Sequence, residues 1–191
     1  MAKNFKTRGK SPRIFFVLTK VRKKGYNMRE VNMVLYHGSS VEVSQPEILS
    51  AERALDFGAG FYTTTDREQA ERWARRVTVR NCAAQAVINI YELDESALKK
   101  LSVKRFRSAG RQWLEFVCRH RREIGLKEMY DVIIGPVADD RVYRVMVQFE
   151  NGELDTQEAL KRLKTEKLTD QVVFCSERAL RCLRFIGAEE I

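Results

Sequence analysis

The chain has 191 residues, 44% hydrophobic and 32% charged, a balance that excludes fibrous, collagen-like and wholly disordered proteins. Its net charge of +9 is carried entirely by residues 1–30, where ten Lys and Arg face the single acid Glu30, so residues 31–191 are neutral. This asymmetry predicts two units: a basic N-terminal extension over 1–30 and one domain over 31–191.

The apolar run Ile14–Leu18 is too short to span a bilayer or to form a signal-peptide core. The four cysteines, Cys82, Cys118, Cys175 and Cys182, form no C-x-x-C pair and have only two histidines to assist them. No zinc site and no disulfide framework is expected. The expected setting is a reduced cytoplasm, away from membranes. Three uses of the extension stay open: an arm for nucleic acid or another polyanion, a segment ordering on a partner around Ile14–Leu18, or an addition without a role.

In chain order, Val31–Tyr36 reads as a strand ended by the polar turn His37-Gly38-Ser39-Ser40. Residues 41–60 lack periodicity and read as loop, with a short helical piece around Ser50–Leu55. Thr65 or Asp66 is the expected cap of a helix over Arg67–Val79, whose Ala70, Trp73, Ala74 and Val77 share one face. Ala86–Leu93 alternates as a strand does. Ala109–Arg122 spaces Trp113, Leu114, Phe116 and Val117 as a helix does, and His120 among its arginines is expected at the surface.

Tyr130–Ile134 is a compact strand ended by Gly135-Pro136. Asp140–Phe149 and Thr156–Leu163 form a predicted helix pair divided at Asn151-Gly152. Val172–Phe174 is a further strand, and Glu177–Phe185 a final helix. Strands and helices mix without strict alternation, which predicts an α+β fold.

Three places hold residues more specific than a core requires. One is Leu35-Tyr36-His37-Gly38-Ser39, where a glycine directly after a strand-end histidine lets a ligand approach the main chain. Another is Gly58-Ala59-Gly60-Phe61-Tyr62, with Trp73 eleven residues beyond Tyr62. Two such aromatics can hold a flat heterocycle between their faces or simply fill a core. The last is Leu168-Thr169-Asp170-Gln171-Val172, a polar entrance to a buried strand.

In this order the segments resemble the ADP-ribosyltransferase superfamily, on the branch of diphtheria toxin and the poly-ADP-ribose polymerases. His37-Gly38 matches its first motif; Gly58, Gly60, Tyr62 and Trp73 match its second. Gln171, ahead of Val172-Val173-Phe174, stands where that branch usually has glutamate. Residues 33–185 also look like a family of small uncharacterised bacterial proteins assigned to this fold.

The resemblance implies a split β-sheet core with flanking helices and NAD as substrate, without a metal. It gives Gly38 main-chain bonds to the nicotinamide carboxamide and His37 a bond to a ribose hydroxyl. Tyr62 and Trp73 would sandwich the ring. Ser39 or Ser40 would reach a ribose or phosphate oxygen, Arg53 is a candidate pyrophosphate contact, and Gly60 belongs to the binding loop. His37, Tyr62 and Gln171 are the implied catalytic set. An amide at Gln171 keeps the hydrogen bond and loses the charge, a handicap of about 3 kcal/mol in transition-state stabilisation. Thr169 departs from the Glu or Gln of arginine-modifying relatives, which argues against arginine as acceptor.

The leading expectation is a mono-ADP-ribosyltransferase acting on a protein or nucleic acid, as a bacterial toxin or effector of the toxin–antitoxin or phage-defence kind. Such an enzyme would need a neutralising antitoxin partner. The alternatives are an NAD-binding module that has lost catalysis, and a nucleic-acid-binding protein acting through its basic tail.

Overall fold

The computed structural model describes residues 32–48, 55–126, 129–138, 140–164 and 168–191. The basic extension, Arg53, and nearly all of the expected helical piece around Ser50–Leu55 lie outside the described residues.

Strand β1 (Asn32–Ser39) runs antiparallel to β3 (Val87–Asp94), which pairs on its other side with β7 (Leu183–Glu190). This is the first sheet. A second sheet has the order β2 (Phe61–Thr63), β6 (Asp170–Phe174), β5 (Val132–Pro136) and β4 (Val103–Arg105). Its β4–β5 pair is parallel and its other pairs are antiparallel. An isolated bridge, Tyr36 to Thr64, joins the two sheets. The class is α+β, as expected.

Side-chain alternation along the strands builds two cores. Leu35, Phe61, Tyr91, Leu93, Val132, Val172 and Phe174 meet between the sheets. On the outer face of the second sheet, Ile133 and Val173 pack with Trp113, Leu114 and Val117 of α2 (Arg111–Arg122). Met146 of α3 (Asp140–Glu150) and Leu163 of α4 (Thr156–Lys164) complete that core. Helix α1 (Arg67–Arg80) covers the outer face of the first sheet through Ala70, Ala74 and Val77. The layers are therefore α1, first sheet, second sheet, and α2–α4.

The start of α1 follows its sequence signal. Asp66 accepts from the Gln69 N–H at 3.0 Å and caps the helix. The chain's end does not. Helix α5 covers only Glu177–Leu180, capped by Ser176, and the expected helix to Phe185 gives way to β7. Leu183 and Phe185 pack into the core between the sheets, while Arg184 turns outward to pair with Glu92. That is a strand's period of two, and pairing with β3 outweighs helix propensity. Strands β2 and β4 are three residues each, too short to show a period in sequence.

Candidate functional site

Two short main-chain bonds locate the first part of the site. The Tyr36 N–H donates to the Thr64 carbonyl at 2.8 Å, and the Thr64 N–H donates to the Tyr36 carbonyl at 3.0 Å. Tyr36 therefore turns both groups toward β2 and away from β3. In an antiparallel ladder alternate residues do the same. Gly38, two residues on, consequently presents its N–H and C=O on the β2 side.

Continuing that register would set Gly38 opposite Tyr62. Among the described residues no bond joins them. The Tyr62 carbonyl is taken by Nδ1 of His37 at 2.7 Å. β1 and β2 thus part at Gly38, and its N–H and C=O face the notch between them. The glycine is also required from the other side: a Cβ there would lie 2.2 Å from the Ala70 carbonyl oxygen and 2.7 Å from the Ala74 nitrogen. Helix α1 sits directly on the strand. Trp73, the residue before Ala74, is 40% exposed.

His37 is partly buried, with its ring 4.5 Å from that of Phe61. Burial lowers its pKa below the usual 6.5, against the opposing effect of the Tyr62 carbonyl bond. A carbonyl can only accept, so Nδ1 carries the proton and donates. In the neutral ring Nε2 is then an acceptor, suited to a hydroxyl.

The second part lies on the outer face of the second sheet. Tyr62 pairs with Val173 across β2 and β6, so its side chain shares that face with Gln171. The Tyr62 hydroxyl donates to the Gly58 carbonyl at 2.8 Å and accepts from the Phe57 N–H at 3.2 Å. Burial first, then the Asp56 carboxylate, pushes its phenol well above the usual value. Gln171 is 5% exposed, and its Nε2 donates to Asp56 Oδ2 at 3.0 Å and to the Pro136 carbonyl at 3.1 Å. Asp56 is held in turn by Arg121, whose Nε and Nη2 stand 3.0 and 2.5 Å from Oδ1, and by the Ala138 N–H at 2.9 Å from Oδ2.

Of the expected set, the structure brings together His37, Gly38 and Tyr62 at the parting of β1 and β2, with Gln171 beside Tyr62. Trp73 belongs to a different layer from the Tyr62 ring, since α1 covers the first sheet and Tyr62 faces α2–α4. Gly60 packs on β6, where a Cβ would lie 2.6 Å from Val173 Cγ1. The Ser39 hydroxyl accepts from the Val41 N–H at 3.3 Å and closes the turn after β1.

One expectation is corrected. His120 is buried, not at the surface: it follows Trp113 and Val117 at helical spacing, and its Nδ1 bonds the Phe116 carbonyl at 2.8 Å. Its ring backs the turn at Gly58, where φ is +75° and a Cβ would be 2.9 Å from its Cδ2. The flanking arginines hide that position in sequence.

Three residues enter the site to which sequence reasoning gave no role. Asp56 and Arg121 are one pair; an acid before Phe57-Gly58 and a basic residue on an amphipathic helix carry no marker of it. The third is Asp170, whose carboxylate accepts from Thr64 Oγ1 at 3.0 Å, the Thr65 N–H at 3.0 Å and Thr65 Oγ1 at 2.9 Å. It ties the start of β6 to the start of α1.

Among the described residues no group of three or more His, Cys, Asp or Glu could hold a metal ion, and no helix is long and apolar enough to cross a membrane. The fold and site define an α+β domain with a main-chain notch between two sheets. The chain belongs to a family of proteins of unknown function, DUF3990, whose model matches residues 33–185. No curated protein and no solved structure matches it.

Proposed function

We propose that this protein is an NAD-dependent mono-ADP-ribosyltransferase, built on a split sheet of the ADP-ribosyltransferase kind. The observation that carries the reading is the pair of Gly38 main-chain groups facing the notch where β1 and β2 part. One donor and one acceptor, fixed side by side on a strand, match the carbonyl and amino groups of a carboxamide. Neutral His37 offers Nε2 to a ribose hydroxyl. Bound there, NAD would have its glycosidic bond held for cleavage to nicotinamide and an oxocarbenium-like ribose, which an acceptor then captures.

Trp73, on the helix packed against Gly38, would supply one ring contact. Tyr62, whose ring faces α2–α4, would have to give up its bonds to Phe57 and Gly58 and turn toward the notch to supply another. The acceptor class is a protein or nucleic acid, and the role a bacterial cytoplasmic toxin or effector with a neutralising partner. Incubating the protein with NAD labelled in the adenosine half, together with cell lysate, tests this. Release of nicotinamide with label on a macromolecule is expected; bound NAD with neither product sinks the transferase.

A second reading has its own observation. The Gln171 amide is buried and already bonded to Asp56 and Pro136, which suits an NAD-binding module without turnover. Calorimetry showing NAD binding without nicotinamide release would select it.

A further inference from the structure

The Asp56–Gln171 contact has a feature that a packing interaction does not need. Both partners of Gln171 Nε2, the Asp56 carboxylate and the Pro136 carbonyl, only accept hydrogen bonds. The two amide hydrogens are therefore both consumed and the amide cannot flip. Its Oε1 must point the other way, and no donor among the described residues reaches it. Asp56 meets donors on all sides: two nitrogens of Arg121, the Ala138 N–H and Gln171 Nε2. That is the complement of an ionised carboxylate. It is seated on the turn that leads into Gly58 and Tyr62, and Arg121 comes from α2.

We infer that Asp56 is a positioning residue that fixes the Gln171 amide with Oε1 outward and lends that oxygen negative character, so that the pair serves in place of a single carboxylate. An amide whose N–H donates to an anion is polarised, and its oxygen becomes a stronger acceptor. In the transferase reading, on which this inference rests, Oε1 would accept from a ribose hydroxyl as positive charge develops on the sugar. The arrangement also fixes what a carboxylate at position 171 would do. Gln171→Glu would place two carboxylates about 3 Å apart in a buried setting, where both cannot be ionised. The substitution that restores the superfamily's glutamate would here fail on its own.

A charge exchange tests this. Asp56→Asn, Gln171→Glu and the double variant are compared with the natural protein in thermal unfolding and in nicotinamide release at saturating and limiting NAD. Each single variant should lower kcat about tenfold or more with KM changed by less than about threefold. Gln171→Glu alone should also lower Tm and acquire a pH-dependent kcat. The double variant removes the meeting of two carboxylates, so it should recover part of the Tm and kcat that Gln171→Glu loses. The remainder stays lost, because a carboxylate at position 171 still meets the Pro136 carbonyl and an amide at position 56 meets the Ala138 N–H. If Gln171→Glu is as stable as the natural protein, or the double variant recovers neither quantity, the lock is wrong. Recovery of Tm without kcat, in a protein that turns NAD over, leaves a structural contact and overturns the positioning role. A natural protein that binds NAD and releases no nicotinamide overturns the transferase reading itself, and the role of the pair falls with it.

Discussion

The two parts of the site are built by opposite means. At Gly38 the chemistry belongs to the main chain: a ladder fixes the direction of one N–H and one C=O, and a helix backbone packed against the glycine holds the strand in place. At Gln171 the chemistry belongs to side chains, and each is bonded to another: Gln171 to Asp56, Asp56 to Arg121, Tyr62 to the Phe57–Gly58 turn. The first part leaves its N–H and C=O without a main-chain partner among the described residues, on a glycine that is itself buried. The second must exchange internal bonds for ligand bonds. In the proposed reading, a site divided in this way holds the nicotinamide on a rigid edge and engages the adjoining ribose by rearrangement.

Breaking the first part should have the largest effect. Gly38→Ala puts a methyl group 2.2 Å from one helix backbone atom and 2.7 Å from another, and neither can rotate away. Helix α1 has to move off β1. A loss of about 3 kcal/mol or more is expected in urea unfolding, at the upper end for overpacking. An unchanged midpoint would mean that α1 is not seated on the strand.

Breaking the second part should cost less, and it separates ring from hydroxyl. Tyr62→Phe removes a group that satisfies both the Phe57 N–H and the Gly58 carbonyl, for about 2 kcal/mol. Tyr62→Ala should cost more, because it also empties the packing against the α2–α4 core. The hydroxyl thus matters to the fold, which a stacking role alone would not require. Equal stability of Tyr62→Phe and the natural protein would show that the turn does not depend on it.

The contrast explains what is legible in the sequence. β1, β3, α1 and α2 are long enough for their apolar periods to declare them, and Asp66 marks a helix start by its chemistry. His37 and Gly38 stand out because a histidine and a glycine at a strand end are unusual. The direction of the Gly38 main-chain groups does not, since it follows from a bridge between Tyr36 and Thr64 that no local pattern encodes. Asp56 and Arg121 are 65 positions apart and meet only because α2 packs over the turn before Tyr62. The start of β7, Leu183–Phe185, reads as helix for a related reason: its strand character comes from pairing with β3.

Acid separates two regions of the molecule by their titrating groups. His37 has a folded pKa below 6.5, so the unfolded chain binds its proton more readily than the folded one. Stability from this source is complete above about pH 6.5 and falls as pH drops toward the folded value. Asp131 behaves differently. Arg178 first, then Ser176 and the Ser102 N–H, hold its carboxyl down to about 2, so its contribution persists until pH falls below 3.8. Urea midpoints should decline between pH 7 and 5 in the natural protein and much less in His37→Gln. Asp131→Asn should leave that decline intact and remove part of the loss seen below pH 4.

The smallest expected effect on the fold, and the most informative for the Gly38 part of the site, belongs to Trp73. Its side chain is 40% exposed on α1, so Trp73→Phe should change stability by about 0.5 kcal/mol or less. The other tryptophan, Trp113, is fully buried and donates Nε1–H to the Pro136 carbonyl at 3.0 Å, on the far side of the second sheet from α1. Trp113 is thereby separated from the notch at Gly38 by the second sheet. Titration with NAD should quench the natural protein's tryptophan emission and leave that of Trp73→Phe unchanged. Trp73→Ala should weaken NAD binding about fivefold, the equivalent of about 1 kcal/mol for one lost aromatic contact. Quenching that survives in Trp73→Phe would move the ligand to the Trp113 side. The nicotinamide would then belong among Tyr62, Asp56 and Gln171, and Gly38 would be left as a packing residue under α1.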